Sequence, residues 1–318
     1  MTRIAILDDY QDAALSLADW ASLGPAVTLQ AFRDTIADET RLAARLQDFE
    51  IIVAMRERTP FPASLLQRLP KLKLLVTTGM RNAAIDVKAA SDRGITVCGT
   101  GMLGYPTAEL TWGLIIALLR HIVPEERAMR EGRWQSRLGV GLRGKTLGLL
   151  GLGKLGAQVA AVGKAFQMPL IAWSPNLTAE LAAAQGAELV GKETLFRRAD
   201  ILTIHLVLGP RSRGLVGAAE LALMRPSAYL INTSRGPIVD TAALMAALQA
   251  RRLAGAAIDV YDQEPLPAEH PLRRLENVLL TPHLGYVTAE NYREGYGQAL
   301  EDIQAFLAGK PIRVLGSS

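Results

Sequence analysis

Short apolar runs alternate with helical patterns along almost the whole chain. In the first 98 residues, strands are predicted at residues 3–7, 27–32, 51–53, 72–76 and 95–97, and helices at 15–21, 39–47 and 63–68. Apolar runs of this kind between helices are typical of a parallel sheet covered on both faces. The first part of the chain is therefore predicted to be an α/β unit.

The same alternation resumes at residue 146 and continues to residue 280. Strands are predicted at residues 146–150, 170–173, 201–206, 228–232, 255–259 and 278–280, with helices between them that include 178–185, 221–224 and 241–251. This is the layout of a complete doubly wound nucleotide-binding domain. The pattern thus predicts two α/β units with parallel sheets.

Two further helices flank the second unit. Residues 107–120 are apolar all round apart from Glu109 and Thr111, so this helix must be covered on most sides, between domains or in a subunit interface. Pro124 is expected to end or kink it, and residues 127–143, with Trp134, are interpreted as an exposed arm or crossover. Residues 289–309 form a last helical pattern that could pack back against the first unit.

Composition and charge narrow the class of protein. The chain of 318 residues is 49% hydrophobic and 21% charged, which fits an ordinary globular protein. The net charge of +4 comes without a Lys/Arg run, so no nucleic-acid partner is expected. The most apolar helical stretch, residues 110–119, is too short to cross a bilayer, and no membrane association is expected.

The single cysteine, Cys98, excludes an intramolecular disulfide and any multi-cysteine metal site. It fits a reducing compartment, and with an N-terminus that lacks a signal-peptide layout it favours the cytoplasm. Asp8 and Asp9 follow the first predicted strand, where adjacent carboxylates can bind Mg²⁺. A polar helix entry is the commoner meaning of such a pair, and no metal site is predicted.

A glycine motif, Gly151-x-Gly153-x-x-Gly156, lies between a predicted strand and a predicted helix that runs to Phe166. In this context Gly151 permits a tight turn, Gly153 lets a pyrophosphate approach the backbone, and Gly156 lets the helix pack close to the strand. The start of the helix offers free N–H groups and the positive end of its dipole. The motif predicts a dinucleotide site.

Three consecutive strands of the second unit are followed by side chains that suit acid–base chemistry. Arg235, Glu264 and His283 come after the strands at 228–232, 255–259 and 278–280, and the carboxyl ends of parallel strands meet at one edge of a sheet. Arg suits a carboxylate, His exchanges a proton near neutral pH, and a carboxylate can orient the His ring. Each alone could be a surface or loop residue, but together they predict reduction of a 2-oxo acid.

The chain resembles the D-isomer-specific 2-hydroxyacid dehydrogenase family, which includes phosphoglycerate dehydrogenases and glyoxylate and hydroxypyruvate reductases. The resemblance covers nearly the whole chain. It is carried by Gly151-Leu-Gly-x-x-Gly156, Asn232-Thr-Ser-Arg-Gly236, Asp259-Val-x-x-x-Glu264-Pro265 and Thr281-Pro-His283, and also by Arg56-x-x-Thr59, Ile85-Asp86, Gly94-Ile-x-Val97 and Ala108-Glu109.

The resemblance implies an architecture and an activity. A Rossmann nucleotide-binding domain, residues 100–285, would be inserted in a flavodoxin-like substrate domain, residues 1–99 and 286–318. A homodimer would form largely through residues 107–143. The implied activity is an NAD(P)-dependent hydride transfer between a nicotinamide cofactor and the 2-carbon of a small D-2-hydroxy acid or 2-oxo acid. The alternative is an NAD(H)-sensing binding protein of the same fold with little or no turnover.

The resemblance also implies residue roles. His283 would be the acid/base, Glu264 its partner, and Arg235 the residue that holds the substrate carboxylate. Asp259 would contact the nicotinamide carboxamide. The cofactor contacts expected are Gly151, Gly153, Lys154, Leu155, Gly156, Ser174, His205, Thr233, Asp259 and Gly285. The substrate contacts expected are Arg56, Gly79, Met80, Arg81, Arg235 and Tyr286.

The sequence departs from the family at three places. Ser174 replaces the acid expected at the adenosine ribose, yet no Arg follows in residues 175–178, so NAD and NADP both stay open and NAD is favoured. Gly79-Met80-Arg81-Asn82 stands where the family has Gly-x-Gly. Arg81 would favour a larger or doubly anionic acid if it faces the substrate, and otherwise it points to solvent. Tyr286 replaces a small residue and would line the pocket or cap the hinge, which is predicted at Gly99-Thr100-Gly101.

Overall fold

The computed structural model describes residues 1–316. The chain divides into two compact units, one formed by Met1–Leu103 with the chain from Thr288 onward, the other by Gly104–Val287. The domain roles assigned from the resemblance, with limits at 99/100 and 285/286, stay a prediction.

The first unit is built on a five-stranded parallel sheet. Its strands are β1 (Thr2–Ile6), β2 (Val27–Ala31), β3 (Ile51–Ala54), β4 (Leu74–Thr77) and β5 (Thr96–Gly99), in the order β2-β1-β3-β4-β5. Its helices are α1 (Glu39–Leu46), α2 (Ala63–Gln67), α3 (Val87–Asp92) and α11 (Ala289–Leu307). Every residue of β3 and β4 is buried, as expected for strands covered on both faces. The strand order is the flavodoxin-like one, which confirms the predicted fold.

One predicted helix of this unit is wrong. Residues 15–21 do not form an α-helix but fall into two 3₁₀ turns, Ala14–Ser16 and Trp20–Leu23. The Asp9 carboxylate accepts hydrogen bonds from the Ala13 and Ala14 N–H groups, at 2.9 and 3.2 Å, and the Trp20 indole donates to the Ala14 carbonyl at 2.8 Å. Side chains therefore take backbone groups that an α-helix would pair. Asp8 accepts a hydrogen bond from Thr59 at 2.7 Å, so both aspartates serve internal contacts.

The second unit is built on a seven-stranded parallel sheet. Its strands are β6 (Leu147–Leu150), β7 (Leu170–Trp173), β8 (Glu188–Leu189), β9 (Ile201–Ile204), β10 (Tyr229–Asn232), β11 (Gly255–Ile258) and β12 (Val278–Leu280), in the order β8-β7-β6-β9-β10-β11-β12. Its helices are α4 (Pro106–Leu119), α5 (Ile122–Arg130), α6 (Lys154–Ala165), α7 (Ala179–Ala184), α8 (Lys192–Arg198), α9 (Ala218–Leu223) and α10 (Thr241–Gln249). The strand order is that of the Rossmann fold and reverses direction between β6 and β9, where ligands bind.

The apolar helix α4 is covered within its own unit. The Trp112 indole donates to the Val159 carbonyl on α6 at 3.2 Å, and its ring lies 5.1 Å from that of Phe166. His121 takes a left-handed conformation at φ 52° and separates α4 from α5. Pro124 therefore lies in the first turn of a new helix, where its missing N–H removes no helical hydrogen bond, and part of the predicted arm is helical. In the described chain, none of the helices is long and apolar enough to span a bilayer.

Candidate active site

The glycine turn lies at the point where the strand order reverses. Gly151 follows β6 at φ 102°, a conformation that favours glycine. A Cβ on Gly156 would lie 2.3 Å from the Gly151 carbonyl oxygen, so only glycine lets α6 start this close to the turn. A Cβ on Gly153 would meet no atom within 4 Å. The space beside Gly153, at the N-terminus of a twelve-residue helix, therefore fits an approaching pyrophosphate.

His205 packs against this turn from the end of β9. Its N–H donates to the Leu150 carbonyl at 2.8 Å, and its Nε2 lies 2.9 Å from the Thr203 hydroxyl. Burial lowers the pKa of His205 to about 4, so its ring is neutral at neutral pH. Lys154 opens α6, and its amine folds beside Gly104. The predicted cofactor contacts Gly151, Gly153, Lys154, Leu155, Gly156 and His205 thus surround one turn.

Glu264 and His283 form a hydrogen-bonded pair at the carboxyl edge of the sheet. Glu264 Oε2 lies 2.6 Å from His283 Nδ1, and Glu264 Oε1 accepts a hydrogen bond from the Tyr261 N–H at 2.9 Å. The two side chains are 22% and 17% exposed. Since the backbone fixes the other carboxylate oxygen, the pair has a defined orientation, in which His283 Nε2 is the ring nitrogen that Glu264 does not contact.

Asp259 holds the chain around His283 in place. This residue directly follows β11 and is fully buried. The carboxylate of Asp259 accepts hydrogen bonds from the Thr281 hydroxyl at 2.6 Å and from the N–H groups of Leu284 and Gly285 at 2.7 and 2.9 Å. Burial raises the pKa of Asp259, and these donated hydrogen bonds oppose the rise. The Asp259 carbonyl accepts from the His283 N–H at 2.8 Å, so one residue fixes the whole turn.

Arg235 lies on the neighbouring loop, which is held against the Glu264 loop. A Cβ on Gly236 would lie 2.2 Å from the Tyr261 carbonyl carbon, so the two loops are in direct contact. The Asn232 amide donates to the Arg235 carbonyl at 3.1 Å, and Thr233 shares a hydrogen bond of 2.8 Å with Thr111 on α4. These contacts bring the predicted residues Arg235, Glu264 and His283 to one edge.

Tyr286 follows the same turn and is buried. Its ring lies edge-on to the His283 ring, with centroids 5.4 Å apart. Tyr286 therefore packs against the histidine that is predicted to exchange the proton, whereas its contact with substrate stays a prediction.

The predicted substrate residues of the first unit cluster at the ends of β3 and β4. Gly79 has φ 117°, and a Cβ there would lie 2.5 Å from Arg56 Nη1. The Asn82 amide donates to the Arg56 carbonyl at 2.6 Å and to the Thr77 hydroxyl at 2.8 Å. Asn82, which follows the position of the second family glycine, thus ties the two loops together. Met80 and Arg81 are exposed.

Several residues that shape the site were given no role of their own in the sequence analysis. Thr281 and Tyr261 hold Asp259 and Glu264, while Thr203 reaches the His205 ring. Tyr261 holds Glu264 through its backbone N–H, and a contact of this kind cannot be recognised from the pattern of side chains. The Thr203 hydroxyl could have been found only from its position near the end of a predicted strand. Thr281 stands in the Thr281-Pro-His283 motif, but the motif does not indicate that its hydroxyl donates to Asp259.

Comparison with known proteins agrees with this geometry. The family model described as "D-isomer specific 2-hydroxyacid dehydrogenase, NAD binding domain" matches residues 112–285. A glyoxylate reductase of Aeropyrum pernix is 43% identical over 256 residues, which are 77% of this chain and 76% of that one. A D-3-phosphoglycerate dehydrogenase of Methanocaldococcus jannaschii is 36% identical over 98% of this chain and 58% of its own length. A phosphoglycerate oxidoreductase from Vibrio cholerae superposes with a TM-score of 0.93 at 38% identity, covering 97% of this chain and all of that one. The chain belongs to the D-isomer-specific 2-hydroxyacid dehydrogenase family.

Proposed function

We propose that this NAD(P)-dependent oxidoreductase reduces a small 2-oxo acid to the D-2-hydroxy acid, and catalyses the reverse oxidation, with glyoxylate and hydroxypyruvate as the first substrates to test. The observation that carries the proposal is the 2.6 Å contact between Glu264 and His283 on the sheet edge that also carries the glycine turn. Relatives named glyoxylate reductase support the choice of substrates. No finding favours the alternative, an NAD(H)-sensing binding protein.

The residues at this edge have separate roles in the proposed reaction. Glu264 accepts the Nδ1–H of His283, so the proton to be transferred sits on Nε2 and passes to the substrate oxygen during reduction. The Arg235 guanidinium holds the substrate carboxylate through its planar fork. Asp259 fixes the turn that carries His283 and is proposed to contact the carboxamide of the cofactor.

The residues around the glycine turn fit a nicotinamide dinucleotide. Gly153 gives the pyrophosphate its approach, and the N–H groups at the start of α6 face that space. When bound, the cofactor supplies or accepts the hydride at the 2-carbon. Thr233 and Gly285 are proposed to contact it near Asp259, and Ser174 near its adenosine.

A pair of matched histidine variants tests the mechanism. His283 and His121 both have positive φ, 55° and 52°, and asparagine tolerates that conformation. His283→Asn should lower kcat by about 10²- to 10⁴-fold, the usual contribution of a general acid–base group, while cofactor still binds. His121→Asn should keep full turnover. A His283→Asn enzyme that retains turnover with glyoxylate or hydroxypyruvate would contradict the mechanism.

The substrate contacts proposed in the first unit are Arg56, Gly79, Met80 and Arg81, with Tyr286 from the second. The support is local: Arg56 covers Gly79, and Asn82 fixes both loops. An Arg at position 81 would favour a larger or doubly anionic acid.

Homodimerisation through residues 107–143 is a further part of the proposal. In this segment the side chains of Ile122, Val123, Met129, Trp134 and Leu138 are exposed, and Trp134 and Leu138 reach 73% and 94%. Apolar surface of this kind is typical of an interface between subunits. A measurement of the mass of the protein in solution tests whether the chain forms a homodimer. A cytoplasmic location is proposed from the single cysteine, which is buried.

A further inference from the structure

The end of β7 carries the residues that decide which dinucleotide binds. The Gly151 N–H donates to the Trp173 carbonyl at 2.9 Å, so Ser174 begins immediately beside the glycine turn. In this fold the side chain at that position contacts the adenosine ribose, and an acid there repels a 2′-phosphate. Residues 173–179 contain no acid. The Ser174 hydroxyl makes no hydrogen bond within residues 1–316, which leaves it available to a ligand.

Arg211 reaches this position from a different loop. The segment that follows β9 returns towards β7, and Arg211 Nη1 lies 3.4 Å from the side-chain oxygen of Asn176. Within the described chain no carboxylate pairs with Arg211. A guanidinium has five N–H donors, and the contact with Asn176 uses one of them.

The loop that carries Arg211 is held by its own hydrogen bonds. The Ser212 hydroxyl donates to the Val207 carbonyl at 2.7 Å and accepts from the Gly209 N–H at 2.9 Å. Arg211 is therefore presented from a structured turn, beside a segment that lacks negative charge.

We infer that Arg211, with Ser174 and Asn176, forms a subsite for the 2′-phosphate of NADP(H), and that the chain prefers this cofactor to NAD(H). The inference rests on the proposed dinucleotide site and specifies its cofactor. An arginine fork matches the geometry of a phosphate, and the missing acid removes the repulsion that would exclude it. The sequence favoured NAD only because residues 175–178 contain no Arg, and the structure supplies one from 35 residues further along the chain.

Equilibrium binding to the full chain tests the inference without turnover. Titration with NADPH and NADH, followed by the fluorescence of the tryptophans, of which Trp173 adjoins Ser174, gives both Kd values. NADPH should bind at least tenfold more tightly. Arg211→Ala should raise the Kd of NADPH by about 10- to 100-fold, the range for a charge-assisted contact, and change that of NADH less than twofold.

Arg213→Ala is the matched control. Arg213 lies on the same loop and carries the same charge, but its side chain lines a surface depression with Asp240 and Met245. This variant should bind NADPH like the parent chain, which separates a local contact from a change in net charge. Equal effects of the two variants would overturn the inference.

A fragment probe isolates the phosphate itself. Adenosine 2′,5′-bisphosphate should bind more tightly than ADP by calorimetry, and Arg211→Lys, which keeps the charge but loses the fork, should give an intermediate Kd. NADH binding at least as tightly as NADPH would overturn the preference and leave the dinucleotide site intact. Failure of both cofactors to bind would overturn the inference together with the proposed function.

Discussion

Replacement of two glycines of the same turn by alanine should have different effects: Gly156→Ala should lower stability, and Gly153→Ala should weaken cofactor binding. At Gly156 the added methyl group would lie 2.3 Å from the Gly151 carbonyl oxygen, where ordinary contact begins at 3.4 Å. The opposing atom is backbone and cannot rotate away, so α6 must move by about 1 Å, and overpacking of this kind costs about 3 kcal/mol at the upper end of its range. Alanine regains about 1 kcal/mol of helix propensity. The net loss of stability is about 2 kcal/mol.

That loss corresponds to a decrease in Tm of roughly 6 °C for a unit of this size. At Gly153 the methyl group meets no atom within 4 Å, and φ is −82°, which any residue adopts. Gly153→Ala should therefore keep the Tm of the parent chain. The methyl group would instead occupy the space through which the pyrophosphate approaches, and the Kd of the dinucleotide should rise by about tenfold or more.

Thermal unfolding and cofactor titration of both variants separate the two roles. A Gly156→Ala chain as stable as the parent would show that the close contact between helix and turn is not limiting. A Gly153→Ala chain that binds cofactor normally would refute the assignment of this turn to the pyrophosphate. A Tm loss of equal size in both variants would refute the division of roles.

Two further predictions concern stability. Arg313→Ala should destabilise the first unit by about 3 kcal/mol, because it leaves the fully buried Asp302 without the guanidinium that donates to it at 2.8 Å. The control is Glu301→Gln, which removes only the exposed partner of Arg313. Equal decreases in Tm for the two variants would contradict the reasoning. His205, whose pKa burial lowers from 6.5 to about 4, should contribute stability that is complete above pH 6.5 and is lost as the pH falls towards 4, by about 3 kcal/mol. Urea unfolding of the parent and His205→Asn chains between pH 6.5 and 4 measures this loss of stability. If the free energy of unfolding had the same pH dependence in both chains, the prediction would be contradicted.

The sequence pattern was sufficient to predict both parallel sheets and the order of their strands along the chain, except for the two-residue edge strand β8, which it did not predict. Short continuous apolar runs between helical patterns, such as β3 and β4, indicate strands buried on both faces, and Gly151 and Gly156 place the turn that joins β6 to α6. The pattern was insufficient where tertiary contacts decide. The helix predicted at residues 15–21 does not form because the Asp9 carboxylate accepts from the Ala13 N–H and the Trp20 indole donates to the Ala14 carbonyl, and hydrophobic periodicity does not reveal such contacts.

In the candidate site, too, some features could be predicted from the sequence and others depend on tertiary contacts. Arg235, Glu264 and His283 could be placed together from the topology of parallel sheets alone. Their orientation could not, because the Tyr261 N–H and the Gly236 contact that set it are backbone features. Arg211 was missed because proximity to Asn176 arises from a loop that crosses from β9 towards β7, and no local spacing reveals such a contact.

The discontinuous first unit has a consequence for synthesis of the protein. Its sheet is complete once β5 has been made, but Tyr296, Ala299 and Ile303 of α11 are buried in that unit and lie almost 200 residues further along. On the ribosome, the second unit is continuous and can finish folding while the first still exposes the apolar surface that α11 will cover. The N-terminal segment of the first unit, Met1–Leu103, therefore emerges first and completes its folding last, and during that interval it is the part of the nascent chain most open to chaperones and to aggregation.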